Sequence, residues 1–442
     1  MFGQGLTRRD LLIGTAAAGT LGFGAIAPAR ADVNWKKFAG TEIGVNLIKS
    51  PRGDLLTKYE KEFTDLTGIK VSSEMAPEQQ QRQKLVIELS SGKPSFDVCH
   101  ISYHVQKRQF ERAGWLADLS KFMKDPSLTG ADLVESDFSA AGLLYAKNDK
   151  GEMHSLPWSV DYFIIYWNKD LFAKKNLTFP TTLDELVKTA EALTDPKEGT
   201  FGFVCRGLRN ANLPPYMNLL LAHGGDALDA KGNLATDSAE AIAAAKMYQT
   251  LLTKYGPPGA AGFNWMECQA AFMQGKVAMW LDGVGFAPPL EDPTKSRIVG
   301  KVGYAVVPAG PKAQASCTYG DGIAVTETST KKEAAYLYCQ WAVSKLMGAR
   351  LLQTGGGVPF RNSILNDPNV REGVKFPPAW LDSVIGSSKV SKLGLPVIVP
   401  VAEFRDTIGT GLTALLSGGD PATELKKATD AFRPILERSE KG

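Results

Sequence analysis

The chain has 442 residues, of which 50 are Lys or Arg and 47 are Asp or Glu, for a net charge of +3. Such a balance gives no field to gather nucleic acid or an anionic lipid surface. The length is enough for two or three domains, and past the amino-terminal segment no apolar run is long enough to span a bilayer.

The first segment reads as a signal and not as part of the fold. Thr7-Arg8-Arg9-Asp10-Leu11-Leu12 is a twin-arginine start, a Gly/Ala-rich apolar run follows to Ala27, and Ala29-Arg30-Ala31 is a small-x-small cleavage site. This layout predicts a twin-arginine signal peptide over 1–31, removed after Ala31. Asp32 follows where a lipid-bearing Cys would stand, so the mature protein is expected free in the periplasm. Cys99, Cys205, Cys268, Cys317 and Cys339 show no CxxC spacing, and most sit in apolar surroundings. They read as buried thiols filling small apolar spaces.

Strands and helices then alternate. Glu42–Ile48 reads as a strand, Leu55–Leu66 as a helix stopped by Gly68, and 69–71 as a second strand. Gln83–Ser90 is helical and Phe96–Ile101 is a third strand. The alternation predicts a parallel, doubly wound sheet. Asn148–Gly151 and Asp229–Asn233 are turn signals. Between them lies Pro157–Phe172, with six aromatic side chains and, ahead of Asn168, a single carboxylate, Asp161. Apolar residues of both parities from Val160 to Trp167 predict a strand covered on both faces. Phe163, Ile164, Ile165 and Tyr166 are therefore expected in the core, and Trp158 and Asp161 beside a cleft.

Further on, the spacing predicts helices over Leu183–Leu193, Pro215–Ala222, Ala239–Tyr255, Trp265–Gln274 and Lys332–Ser344, and a last group over Leu412–Arg438. Strands are predicted over 202–205, 277–281 and 320–325, and a loop at 355–357. No GxGxxG stands between a strand and a helix, and no P-loop, HExxH or GxSxG is present. His100 and His104 have the spacing of helical metal ligands but follow a strand, so they read as polar loop residues and no metal or cofactor is expected. Nothing marks the paired carboxylates of a glycosidase.

Several stretches, in order, carry a family likeness: FTDLTGIKV (63–71), FDVCHISYH (96–104), LPWSVDYFIIYWNKDLF (156–172), LAHGGD (221–226) and AAFMQGKVAMWLDG (270–283). GIAV with KKEAAYLYCQWAVS (322–344) and VPFRNSILNDPNV (358–370) complete the run. Together they resemble the family 1 extracellular solute-binding proteins, the receptors of carbohydrate ABC importers with a maltose-binding-protein-like fold. The resemblance implies two α/β lobes joined by hinge strands, with ligand held in a central cleft. One lobe would comprise 32–155 with about 305–355, the other 156–304 with about 356–442. It also implies a monomer without cofactor or catalysis, which captures a small carbohydrate and hands it to the permease subunits of the inner membrane.

Carried over residue by residue, the resemblance puts Ser50 and Arg52 in a first cleft loop and Ser102, Tyr103 and His104 in a second. It makes Asp161 a contact to sugar hydroxyls, with Trp158 beside it. Asn212, Trp265, Gly283, Gly285, Tyr319, Asp321, Arg361 and Arg405 complete the expected ligand-binding set. Where a maltodextrin binder carries stacking tryptophans, this chain has Gly285 and Arg405, which favours a mono- or disaccharide, a polyol or an anionic sugar derivative over a long glucan. The competing readings are a twin-arginine-exported enzyme acting on carbohydrate and a receptor for a non-sugar solute.

Overall fold

The computed structural model describes residues 33–441, so the twin-arginine segment and the expected cleavage site lie outside the described residues. Ten strands follow one another: β1 (Glu42–Ile48), β2 (Lys70–Ala76), β3 (Val98–Ser102), β4 (Leu156–Asn168), β5 (Phe201–Val204), β6 (Val277–Gly283), β7 (Val302–Val306), β8 (Ser316–Val325), β9 (Val358–Pro359) and β10 (Ser391–Leu393). Their main order is β2-β1-β3-β8-β4-β6-β5, with β10 on β8 and both β7 and β9 on β4.

The parallel sheet read from the alternation is present at the flanks, where β1 pairs parallel with β2 and β3, and β5 with β6. The centre departs from it. β8 runs antiparallel to both β3 and β4, and β4 antiparallel to β6 and β7. Chain proximity explains the difference: β8 and β4 are not joined by the short crossover helices that enforce parallel pairing. β4 is long enough to serve two partner sets. Its first half pairs with β8, and from Phe163 onward it pairs with β6 and Ile164–Asn168 with β7. One strand thus ties the two halves of the molecule together.

Local signals set the helix ends. The Ser50 hydroxyl accepts from Gly53 N–H at the start of Pro51–Thr67, and Gly68 closes that helix in the left-handed region. Thr182 with Glu185, and Asn264 with Glu267, form capping boxes at Leu183–Leu193 and Trp265–Met273. Three site-bearing helices begin a turn or more earlier than the apolar spacing predicts, Pro51–Thr67, Glu78–Ser90 and Val401–Leu416, so Arg52 stands on a helix and not in the loop expected for it. All three early turns prove to matter for the site.

The apolar residues of β1 and β3 pack with Phe63 and Leu85 on one side of the molecule, while Ile165, Tyr216, Tyr248 and Met279 pack on the other. Phe163, Ile164, Ile165 and Tyr166 are all buried, as the double-parity pattern predicts. All five cysteines are buried and unpaired. Among the described residues no helix is long and apolar enough to cross a membrane.

Candidate functional site

The carboxyl ends of β1 and β3 and the middle of β4 and β8 converge on one small cavity of about 70 Å³, room for several water-sized groups. Open α/β sheets place ligand crevices beyond the carboxyl ends of their strands. Of the expected residues, Ser50, Arg52, Ser102, His104, Asp161, Trp265, Gly283, Tyr319, Asp321 and Arg405 line this cavity.

Period-two alternation decides which residues of β4 and β8 reach it. Asp161 and Phe163 on β4, and Tyr319 and Asp321 on β8, share one face. Gly320 and Gly322 face the other way. A Cβ on Gly322 would meet the Tyr103 hydroxyl at 2.2 Å, and one on Gly320 would meet Phe360 at 2.8 Å. The glycines of the GDG stretch let these rings pack flush against the strand, while Asp321 points into the cavity.

Arg52, in the first turn of its helix, is 5 % exposed and reaches two carboxylates at once. One terminal nitrogen bonds Asp161, and the other bonds Asp321 at 2.5 Å. Gly285 N–H donates to the same Asp161 carboxylate at 3.1 Å. Burial alone would raise the Asp321 carboxyl, yet His100 and Arg52 hold it well below the usual carboxylate range. Burial would likewise lower the Arg52 guanidinium, but Asp161 and Asp321 raise it. Asp161 was expected to wait for ligand hydroxyls as partners. Instead its charge is already matched within the protein, which is how a half-buried carboxylate among rings avoids a large desolvation penalty.

A second charged cluster lies at the other end. Glu78 and Arg82 sit one turn apart on the helix after β2 and pair at 2.6 Å. Arg82 also donates to Ser102 Oγ at 2.9 Å and lies 3.3 Å from His104 Nε2. Arg206, just after β5, forms a two-pronged pair with buried Asp282 of β6. Burial would raise the Glu78 carboxyl, but Arg82, Arg206 and Arg405 bring it down to about 2. Burial, reinforced by Arg82, pushes the His104 imidazole down to about 3, so it is neutral at pH 7. An aromatic wall completes the cavity, in which the Trp265 and Phe286 rings stack with centroids 4.6 Å apart and planes at 12°.

Five expected residues do not line the cavity. Trp158 belongs to the opposite parity of β4. It is buried, with its ring edge-on behind His100 at 5.1 Å. Tyr103 opens a helix, Tyr103–Ala113, where a loop was expected, and stacks on Tyr145 at 5.2 Å with its hydroxyl on Ser155. Asn212 is buried and donates to Gly409 O at 3.0 Å, which ties down the helix carrying Arg405. Arg361 is held away from the cavity by Asp137 at 2.7 Å and by the carbonyls of Val343 and Asp132. Gly285 acts from behind the wall: a Cβ there would stand 3.0 Å from both Arg52 and Asp161.

Glu78, Arg82, His100, Phe163, Arg206 and Phe286 line the cavity without having been expected there as ligand contacts. Reading the second helix from Gln83 hid Glu78 and Arg82. Their i, i+4 charge pairing at the end of β2 was the signal that could have found them. His100, inside the strand predicted over 96–101 though set aside as a polar loop residue, is buried, and its Nδ1 accepts from Ile48 N–H at 3.4 Å. Among the described residues no group of His, Cys, Asp and Glu could hold a metal ion.

Known proteins share this architecture. The curated relatives include an erythritol/L-threitol-binding protein of Mycolicibacterium smegmatis, 26% identical over 88% of this chain and 84% of its own. A probable amino-acid ABC transporter periplasmic-binding protein of Sinorhizobium fredii is 27% identical over 86% of this chain and 87% of its own. Among solved structures, an ABC transporter solute-binding protein of Agrobacterium radiobacter K84 in complex with ribitol superposes with a TM-score of 0.81. It is 27% identical and covers 90% of this chain and 99% of its own. The fold is the two-lobe one of periplasmic binding proteins. The family model for bacterial extracellular solute-binding proteins matches residues 49–345, and the chain belongs to that family.

Proposed function

We propose that the protein is a periplasmic receptor that closes over one small polyhydroxylated solute, a polyol or a sugar of one or two rings, and delivers it to an ABC importer. The observation that carries this reading is the cavity itself. Paired acceptors and donors (Asp161, Asp321, Ser102 and the arginines) crowd about 70 Å³ beside the Trp265–Phe286 wall. Polyol hydroxyls need both donors and acceptors, and the apolar face of a small carbohydrate packs on an aromatic ring. The polyols named for two of the relatives agree with that size and chemistry.

Lobes comprising 32–155 with about 305–355, and 156–304 with about 356–442, fit the helix packing, since Lys332–Ala342 and Lys345–Gln353 contact Pro51–Thr67. A guest touching both lobes makes its full set of contacts only in the closed state, and that difference drives closure. The receptor would act as a monomer without cofactor or catalysis, exported through the twin-arginine segment. Mass spectrometry of small molecules released from gently purified protein tests the guest class. A polyol or small sugar is expected, and tight calorimetric binding of maltotriose or longer glucans would overturn the reading. Replacing Arg8 and Arg9 by Lys should leave precursor in the cytoplasm; normal export of that variant would remove the twin-arginine assignment.

A further inference from the structure

The arginines at the Glu78 end are not equally compensated. Arg82 pairs with Glu78 and Arg206 with Asp282. Arg405, 2 % exposed on the helix Val401–Leu416, has no carboxylate partner among the described residues. Its Nε and one terminal nitrogen donate to Asn210 O at 3.1 and 2.9 Å. The other terminal nitrogen, Nη1, is buried and makes no hydrogen bond.

A guanidinium has five donors and no acceptor. Burying one of those donors unmade is costly, and burying the charge without a counter-ion is more so. The side chain is nonetheless fixed in place. Asn210 O holds it from one side, and the Asn212 bond to Gly409 O anchors its helix one turn on. A buried cation that is rigid, unpaired and set in a cavity wall is a preorganised site for an anion. The neighbours agree, since burial and the nearby Arg82 lower the Arg405 guanidinium to about 9, as uncompensated positive charge requires.

We propose that the guest carries one negative charge, a carboxylate or sulfonate on a small hydroxylated molecule, bound by Arg405 at this end of the cavity. Its hydroxyls would lie toward Asp161 and Asp321, whose remaining lone pairs accept hydrogen bonds even while Arg52 neutralises their charge. A single charge fits and a dianion does not. Among the described residues, Arg405 is the only guanidinium lining the cavity without a carboxylate partner, and Glu78 stands close enough to repel a second negative charge. A neutral polyol could also accept from Nη1, but it would leave the buried charge uncompensated.

The inference rests on the reading of the protein as a receptor for a small hydroxylated solute, and matched ligand pairs separate the two. Calorimetry on the full mature protein would compare D-gluconate with D-glucitol, D-ribonate with ribitol, and D-glucuronate with D-glucose. At least one acid should bind roughly ten- to hundredfold more tightly than its neutral partner, the range of a charge-assisted hydrogen bond. Arg405→Gln should erase that preference, and Arg405→Lys should keep part of it. A neutral member binding as tightly as its acid in every pair overturns the anion site and leaves the receptor reading intact. If no member of any pair binds, both fall. An acid preference surviving in Arg405→Gln removes the assignment to Arg405. If that variant fails to fold, the wild-type pairs still decide the charge of the guest.

Discussion

The two ends of the cavity use the same residue types to opposite effect. At one end a single guanidinium, Arg52, serves two carboxylates, Asp161 and Asp321. At the other, three guanidiniums face two carboxylates: Arg82 pairs with Glu78, Arg206 with Asp282, and Arg405 with neither. The first end has more acid than base and the second more base than acid, although the cavity as a whole is close to balanced. What matters to a guest is therefore not net charge but which group is left without a partner, because pairing in a dry site depends on individual contacts.

The largest test of this contrast is Arg52→Met. It leaves buried Asp321 and half-buried Asp161 without their shared cation, and breaking a buried pair from one side costs about 3–5 kcal/mol. Denaturant unfolding of ligand-free protein should show that loss. A loss below about 1 kcal/mol would mean that this end is no more coupled than an exposed pair. Asp161→Asn is milder, because Arg52 keeps Asp321 and the amide oxygen can still accept from Gly285 N–H. A loss of about 1–3 kcal/mol is expected. Unchanged ligand-free stability would return Asp161 to the role of a carboxylate waiting for ligand.

The pH dependence sharpens the other end. His104 falls from its ordinary value of 6.5 to about 3 in the folded protein. Between these values the unfolded chain binds a proton that the folded one refuses, so stability rises with pH across the window and falls on acidification below 6.5. The effect is at most about 1.4 kcal/mol per pH unit. Glu78 adds to it lower down: its stabilising charge is complete above its ordinary 4.5 and is lost as pH falls toward about 2. Melting of wild type and His104→Asn from pH 7 to 5 should diverge, with the variant flatter. Parallel curves would show that His104 titrates normally. The smallest effect is expected from Glu78→Gln, which removes the acid that competes with an anionic guest. Affinity for the bound anion should rise by several-fold, up to about tenfold, while that for a neutral polyol moves less. A fall in anion affinity would show that Glu78 positions the arginines more than it opposes the guest.

How much of this could be read from the chain differs between the two ends. The family likeness put Arg52, Asp161 and Asp321 among the expected ligand contacts, although it set Arg52 in a loop and the structure sets it in the first turn of a helix. Ser50 before a helix and the alternating GDG stretch are patterns of a few neighbouring residues. The other end was mostly hidden. Arg405 was named, but Glu78, Arg82 and Arg206 were not, since each looks like an ordinary solvated charge in its own segment. Arg361 failed for the converse reason: Asp137 and Asp132 are distant in sequence, and only the fold brings them round to claim it. Trp158 failed on parity, which a register shift between Pro157 and Ser159 makes hard to count from the sequence.

By itself, then, the sequence determined the element types, the helix caps, the buried cysteines and the double-sided burial of β4, because each depends on short-range spacing or on the polarity of single side chains. Only the tertiary structure decided that the sheet runs antiparallel at its centre, which arginines find carboxylates, and which one is left facing the cavity alone. Those outcomes depend on contacts between segments far apart in the chain, such as Arg52 with Asp321 or Arg405 with Asn210. The energy of a buried charge is set by such neighbours rather than by the residues beside it in sequence.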